Sequence, residues 1–252
     1  MNNKKFSRKE FILMLPSIMI FPKILGVKPL IYNTNNKIKD LLKQSNPIKV
    51  VFTGDSVTQG ALHTYGMRSY PEIFAERVRW EMNRIYDIII NSGINGTNSS
   101  DLLNAYELCI GQFNPDIVSI MFGINDCQAV GITPSVFENN LNRIVDKIIN
   151  NHSIPILQTP NAIDNKGVVK MKTASREKLP EYVDVIIKVA KKKNVILVDN
   201  WTYWKTKGLD VFGKWLDDPL HPNAEGHLEI ARLIFRTLSI YDARSFTCSG
   251  KH

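Results

Sequence analysis

A chain of 252 residues, 44% hydrophobic and 22% charged, has the ordinary balance of a soluble globular protein and suits one α/β domain with a substantial core. Its formal charge of +8 sits at one end: residues 1–46 carry nine Lys or Arg and two acidic residues, while the remainder carries 23 and 22. The folded body therefore lacks the basic excess that nucleic-acid binding needs, and three cysteines, Cys109, Cys127 and Cys248, are too few and scattered for a disulfide framework or zinc site.

The chain opens with a basic stretch, "MNNKKFSRKE", followed by an apolar run of 11 residues at positions 11–21. That length fits the apolar region of a signal peptide better than a membrane span, which needs about 20 residues. The segment "SRKEFIL" resembles a twin-arginine export signal, with Lys9 where the second arginine normally stands. No clear A-x-A cleavage site follows, so retention as an anchor is the alternative to cleavage. Residues 33–46 are polar and read as a linker. The expected organisation is an export signal or anchor plus linker at 1–46, one folded domain at 47–242 and a C-terminal tail at 243–252. The expected location is outside the cytoplasm, with membrane association only through the N-terminal segment.

From Ile48 the pattern alternates. "IKVVF" reads as a strand rich in β-branched residues, and "YPEIFAERVRWEMNRIY" as a helix with Pro71 in its first turn. "DIIINSG" is a second strand, and "SSDLLNAYELCIGQF" a helix that Ser99 or Ser100 can cap. "PDIVSIMFG" is the third strand; the following helix has a Thr cap and Pro134 in its first turn. "IPILQTP" is the fourth strand, "REKLPEYVDVIIKVAKKKN" a helix containing Pro180, and "VILVDN" the fifth strand. "NAEGHLEIARLIFRTL" closes the domain as a helix. There is no internal repeat and no low-complexity segment. Alternation of this kind implies βαβ units and a parallel sheet covered on both faces, a three-layer α/β/α sandwich of five strands. In such sheets ligands bind beyond the carboxyl ends of the strands.

Polar clusters stand where those ends are expected: "GDSVTQG", "NSGINGTNS" and "FGIND", with "DDPLHPNAEGH" before the last helix. Together they resemble the four blocks of the SGNH hydrolases, also called GDSL-type esterases and lipases. Ser56 stands in "GDSV", with Val57 where the usual motif has Leu; Gly93 in "NSGINGT"; Asn125 in "GIND"; and His221 in "DDPLHPN", three residues after Asp218. The blocks occur in family order between residues 52 and 223. The resemblance implies the flavodoxin-like strand order 2-1-3-4-5 and hydrolysis of an acyl ester with no metal or organic cofactor.

The chemistry accounts for these residue types. A serine hydroxyl is a poor nucleophile until a base takes its proton. His221 titrates near neutrality and Asp218 can fix its tautomer, which makes Ser56, Asp218 and His221 the candidate catalytic residues. The oxyanion formed by attack needs preorganised donors. The backbone N–H groups of Ser56 and Gly93 and the side-chain amide of Asn125 are the candidates. Each residue also has a structural alternative: a helix cap for Ser56, a turn for Gly93, an Asx turn for Asn125, and Asp217 as competitor for the role of Asp218. Asp55 and Asp126 are expected to make structural hydrogen bonds, His227 to be structural, and Cys109 and Cys127 to be small buried thiols.

Two other classes compete. A metal-dependent phosphoesterase would use the two histidines of "HPNAEGH", but they lie at i and i+6. A non-catalytic flavodoxin-like module would cradle a phosphate with "TGDSVTQG", but leaves His221 and Asp218 unexplained. For the enzyme, the expected partner is a small-molecule or polysaccharide acyl ester. The export signal and the aromatic segment 201–215, with Trp201, Trp204 and Trp215, favour an exported carbohydrate O-acetylesterase; the alternative for these aromatics is that they cover the core beside the sheet. A lysophospholipase or a broad short-chain esterase or thioesterase is the alternative.

Overall fold

The computed structural model describes residues 34–60, 62–172 and 174–250. The export-signal and anchor readings of the N-terminal segment fall on residues outside these. Among the described residues no helix is long and apolar enough to cross a membrane.

The five β-branched runs form β1 (Lys49–Gly54), β2 (Ile88–Asn91), β3 (Ile117–Met121), β4 (Ile154–Thr159) and β5 (Ile196–Asp199). They make one parallel sheet in the order β2-β1-β3-β4-β5. Val50 of β1 pairs with Ile89 on one side and Ile117 on the other. Strands β3 and β4 are buried along their whole length, as a sheet covered on both faces requires.

The helices are α1 (Thr34–Lys43), α2 (Ser56–Gln59), α3 (Tyr70–Glu76), α4 (Ser99–Asn104), α5 (Tyr106–Cys109), α6 (Pro134–Asn150), α7 (Asn165–Lys170), α8 (Leu179–Lys193), α9 (Asn200–Lys207), α10 (Leu209–Phe212), α11 (Ala224–Thr237) and α12 (Phe246–Ser249). Right-handed crossovers place α3, which links β1 to β2, on one face. The chain then doubles back across β1, so α4, α6 and α8 lie on the other. Contacts agree: α4 packs on α6 and α6 on α8, while α3 packs on α11. This reversal opens a crevice beyond the carboxyl ends of β1 and β3.

Local chemistry sets the boundaries. Thr133 Oγ1 accepts the Val136 N–H at 3.3 Å and Pro134 opens α6. Pro180 lies in the first turn of α8, where its missing N–H costs nothing. Asn98, rather than Ser99 or Ser100, caps α4: its side chain accepts from the N–H groups of Ser100 and Asp101, and Asp101 returns a bond to the Asn98 N–H. The helix expected over 70–86 is shorter, ending in a π-helical turn at Arg77–Glu81.

Two segments outside the expected domain belong to it. The polar linker read at 33–46 contains α1, whose Ile38 and Leu42 are buried in the core. One apolar side chain per turn suffices there because a neighbouring surface covers it. The tail at 243–252 contains α12, tied down by Glu81, whose carboxylate accepts from the Thr247 N–H at 2.9 Å and the Thr247 hydroxyl at 2.7 Å. All three cysteines are free and buried, Cys248 included.

The aromatic segment 201–215 follows the second of its two readings, cover for the core beside the sheet, rather than a substrate-facing site. Trp204 is fully buried, edge-on to Trp215 at 5.1 Å, and Trp215 stacks on Tyr203 at 6.3 Å. Trp201 and Phe212 are buried as well. These rings cover the core beside α11, because large aromatic surfaces next to apolar neighbours gain most by leaving water.

Candidate active site

Strand β1 ends at Gly54 in a turn that tolerates no side chain there. A Cβ on Gly54 would lie 2.2 Å from Thr58 Oγ1 and 2.5 Å from the Met121 carbonyl. Asp55 caps α2, its Oδ1 accepting the Val57 N–H at 3.0 Å. Ser56 is thus the first residue of a helix, where its own N–H has no intrahelical acceptor. The expected structural role of Asp55 holds. Its other carboxylate oxygen is buried without a hydrogen-bond partner, and burial pushes its pKa up to about 7.

Ser56 Oγ lies 3.0 Å from His221 Nε2, and His221 Nδ1 lies 2.8 Å from Asp218 Oδ2. The other oxygen of Asp218 accepts the N–H groups of Leu220 and His221, both at 2.7 Å. The carboxylate is therefore fixed by its own turn before it orients the ring. Burial alone would raise the Asp218 pKa, but the hydrogen bonds from His221 and Leu220 hold it below the ordinary value. For His221, burial lowers the pKa against the opposing pull of Asp218. A neutral ring with its proton on Nδ1, toward Asp218, presents its Nε2 lone pair to the serine hydroxyl.

The loops after β2 and β3 carry the remaining candidate residues. Asn125 donates its side-chain amide to the Thr97 carbonyl at 2.9 Å, which leaves its second N–H available. Asp126 beside it accepts the N–H groups of Ser99 at 2.9 Å and Gly123 at 3.0 Å, the structural role expected of it. The Gly93 N–H donates to Asn91 Oδ1 at 3.0 Å, and Asn91 in turn donates to the Thr58 carbonyl at 2.9 Å. A Cβ on Gly93 would lie 2.6 Å from the Gln59 nitrogen. Glycine is needed there because the loop rests on the α2 turn.

His227 is buried in α11, accepts the Tyr70 N–H at 3.2 Å, and has its pKa pushed down to about 3 by burial. It is structural, as expected. His63, which carries no motif, was invisible to sequence reasoning. It lies in the loop after α2 with its ring stacked on His221, centroids 3.9 Å apart and planes within 3°. Ligand atoms of His63, Asp218 and His221 fall within 4.8 Å of one another. However, parallel rings direct their in-plane lone pairs side by side, so the two do not converge on one ion.

Comparison with known proteins bears on the family and the fold. Residues 52–228 match the model of the GDSL-like Lipase/Acylhydrolase family. An acetylxylan esterase from Geobacillus stearothermophilus is 25% identical over 215 residues, covering 78% of this chain and 96% of that protein. A solved structure of a variant of such an acetyl xylan esterase matches with a TM-score of 0.65 at 24% identity, over 80% of this chain and all of that one. An alpha/beta hydrolase from the metagenome of Lake Arreo matches with a TM-score of 0.65 at 22% identity, over 78% and 98% of the two chains. An uncharacterised protein of Mycoplasma pneumoniae is 34% identical over 113 residues, 43% of this chain but only 13% of that protein. With the family model covering most of its length, this chain belongs to the GDSL-like lipase/acylhydrolase family and is an esterase of the GDSL type.

Proposed function

We propose that this esterase removes small acyl groups, acetyl foremost, from a carbohydrate, through an acyl intermediate on Ser56. The observation that carries the catalytic part is the unbroken chain of hydrogen bonds from Ser56 through His221 to Asp218, at 3.0 and 2.8 Å. As Ser56 Oγ attacks the acyl carbon, its proton passes to His221 Nε2, and Asp218 stabilises the resulting imidazolium. The carbonyl oxygen becomes an oxyanion, met by the N–H of Ser56 and the second N–H of Asn125, while the Gly93 N–H expected to join them is engaged by Asn91 Oδ1. Collapse expels the alcohol, which takes the proton from His221. Water then attacks the acyl-serine, gives its proton to His221, and the acid leaves as Ser56 recovers that proton.

The substrate class is supported by similarity along nearly the whole length of an acetylxylan esterase, and an exported enzyme would meet such polysaccharides. A fluorophosphonate probe should label Ser56, and Ser56→Ala should lose both labelling and turnover; labelling that survives the substitution overturns the nucleophile. Acetylated xylo-oligosaccharide should release acetate, and acetyl esters should be cleaved faster than octanoyl esters. A higher kcat/KM on long-chain lysophospholipid overturns the substrate class and leaves the nucleophile standing.

A further inference from the structure

The loop between α2 and α3 carries two residues that this mechanism leaves unused, and Asp217 joins them. His63 Nδ1 lies 2.8 Å from one carboxylate oxygen of Asp217 and 3.9 Å from Asp218. The Tyr65 hydroxyl donates to the other oxygen of Asp217 at 2.7 Å. Asp217 is itself joined to the base, since its N–H donates to the His221 carbonyl at 2.9 Å. Buried Thr64 also ties the loop down, its hydroxyl donating to the Gly60 carbonyl at 3.0 Å. Leu62 and Tyr65 are 81% and 80% exposed, and both have left-handed backbones, with φ of 67° and 52°. Such conformations persist where surrounding bonds over-determine them, and Asp217 supplies two of those bonds.

We propose that His63 is a positioning residue for the base: clamped by Asp217 and Tyr65, its ring holds the plane of His221 in line with Ser56. The proposal rests on His221 being the base. A hydrogen bond from Asp218 anchors one nitrogen of His221 but leaves the ring free to rock about that bond. A second ring lying flat against one face, at 3.9 Å, removes the freedom. The same stack has an electrostatic consequence when His221 takes up the serine proton. The groups facing His221 are Ser56 from α2, Asp217 and Asp218 from its own loop, His63 from the α2–α3 loop with Tyr65 behind Asp217, and His227 from α11. The Coulombic interaction with His63 lowers the pKa of His221, and that with Asp217 raises it. His63 therefore helps keep His221 in the proton-accepting form.

The test compares His63→Ala and His63→Phe with the wild type on a nitrophenyl acetate substrate, following kcat, KM and the acid limb of kcat/KM. Misplacing a catalytic group by about 1 Å can cost about 10²-fold, so partial loss of restraint should cost roughly 10-fold in kcat with KM nearly unchanged. His63→Phe keeps a flat ring and should recover most of that loss. In both variants the acid limb should move to higher pH, because His221 has lost the Coulombic interaction with His63 that lowers its pKa. Asp217→Asn, which leaves His63 in place without its charged clamp, should lower kcat by a smaller factor. Wild-type kcat and acid limb in His63→Ala, a phenylalanine variant as impaired as the alanine one, or unchanged kcat in Asp217→Asn would each overturn the clamp. His221→Ala separates the two levels. Retained activity there removes the base on which the proposal rests, whereas an inactive His221→Ala beside an unaffected His63→Ala removes the clamp alone.

Discussion

The two oxygens of Asp218 do different things, and that difference makes the residue a sharp probe. Oδ1 is held by two backbone N–H groups and Oδ2 faces His221 Nδ1. In Asp218→Asn the remaining carbonyl oxygen can keep the backbone bonds, which turns the amide NH2 toward the imidazole. That favours the wrong tautomer, and by analogy with other serine hydrolases kcat falls by up to about 10⁴-fold. Asp217→Asn should be milder, because Asp217 lies against His63 and Tyr65 rather than against His221 Nδ1. A larger loss in Asp217→Asn would show that the neighbouring carboxylate is the orienter. Asn125 is probed in the same way. Deleting one oxyanion donor typically costs about 10²–10³-fold in kcat, so Asn125→Ala should lose kcat rather than gain KM. The reverse pattern would assign the amide to ground-state binding.

At the scale of elements, α1 decides where the domain begins. Ile38 is fully buried, so Ile38→Ala should destabilise the protein by roughly 2–5 kcal/mol. An unchanged urea midpoint would make residues 33–46 the linker that their polarity suggests. The five strands and the helices that alternate with them were legible because each carries its own apolar period, and the cap of α6 stands in the sequence as Thr133. What was not legible depends on neighbours distant in the chain. The apolar side chains of α1 are sparse, and α12 is held by Glu81, more than 160 residues away. The aromatic segment 201–215 shows the same limit: its composition fits either an exposed platform or a core, and only the packing of Trp204 against Trp215 and Phe212 decides for the core. In the site, Ser56, Asp218 and His221 were legible because each sits in a short motif at a strand end or helix start. His63 was not, because the stack that places it is a fact of three dimensions.

Across the whole molecule, the buried ionisable groups set stability against pH with opposing signs. Burial lowers the pKa of His227 from 6.5 to about 3 and also lowers that of His221. The unfolded chain therefore binds protons that the fold refuses, and stability present above about pH 6.5 is lost as pH falls. Asp55 acts the other way. Burial raises it from 3.8 to about 7, so its contribution is fully present below about pH 4 and is lost as pH rises toward about 7. Its full displacement corresponds to roughly 4 kcal/mol, enough to offset much of the histidine slope between those limits. Asp55→Asn removes that offset while preserving the cap, since Asn accepts the Val57 N–H as well as Asp does. The variant should gain stability relative to the wild type as pH rises, so the gap between their urea midpoints should widen from about pH 5 to about pH 8. The variant alone should also lose stability more steeply than the wild type on the acid side. A gap that stays constant across that range, or narrows as pH rises, would mean that Asp55 folds in its charged form, held by the attraction of Arg176 that already opposes its burial.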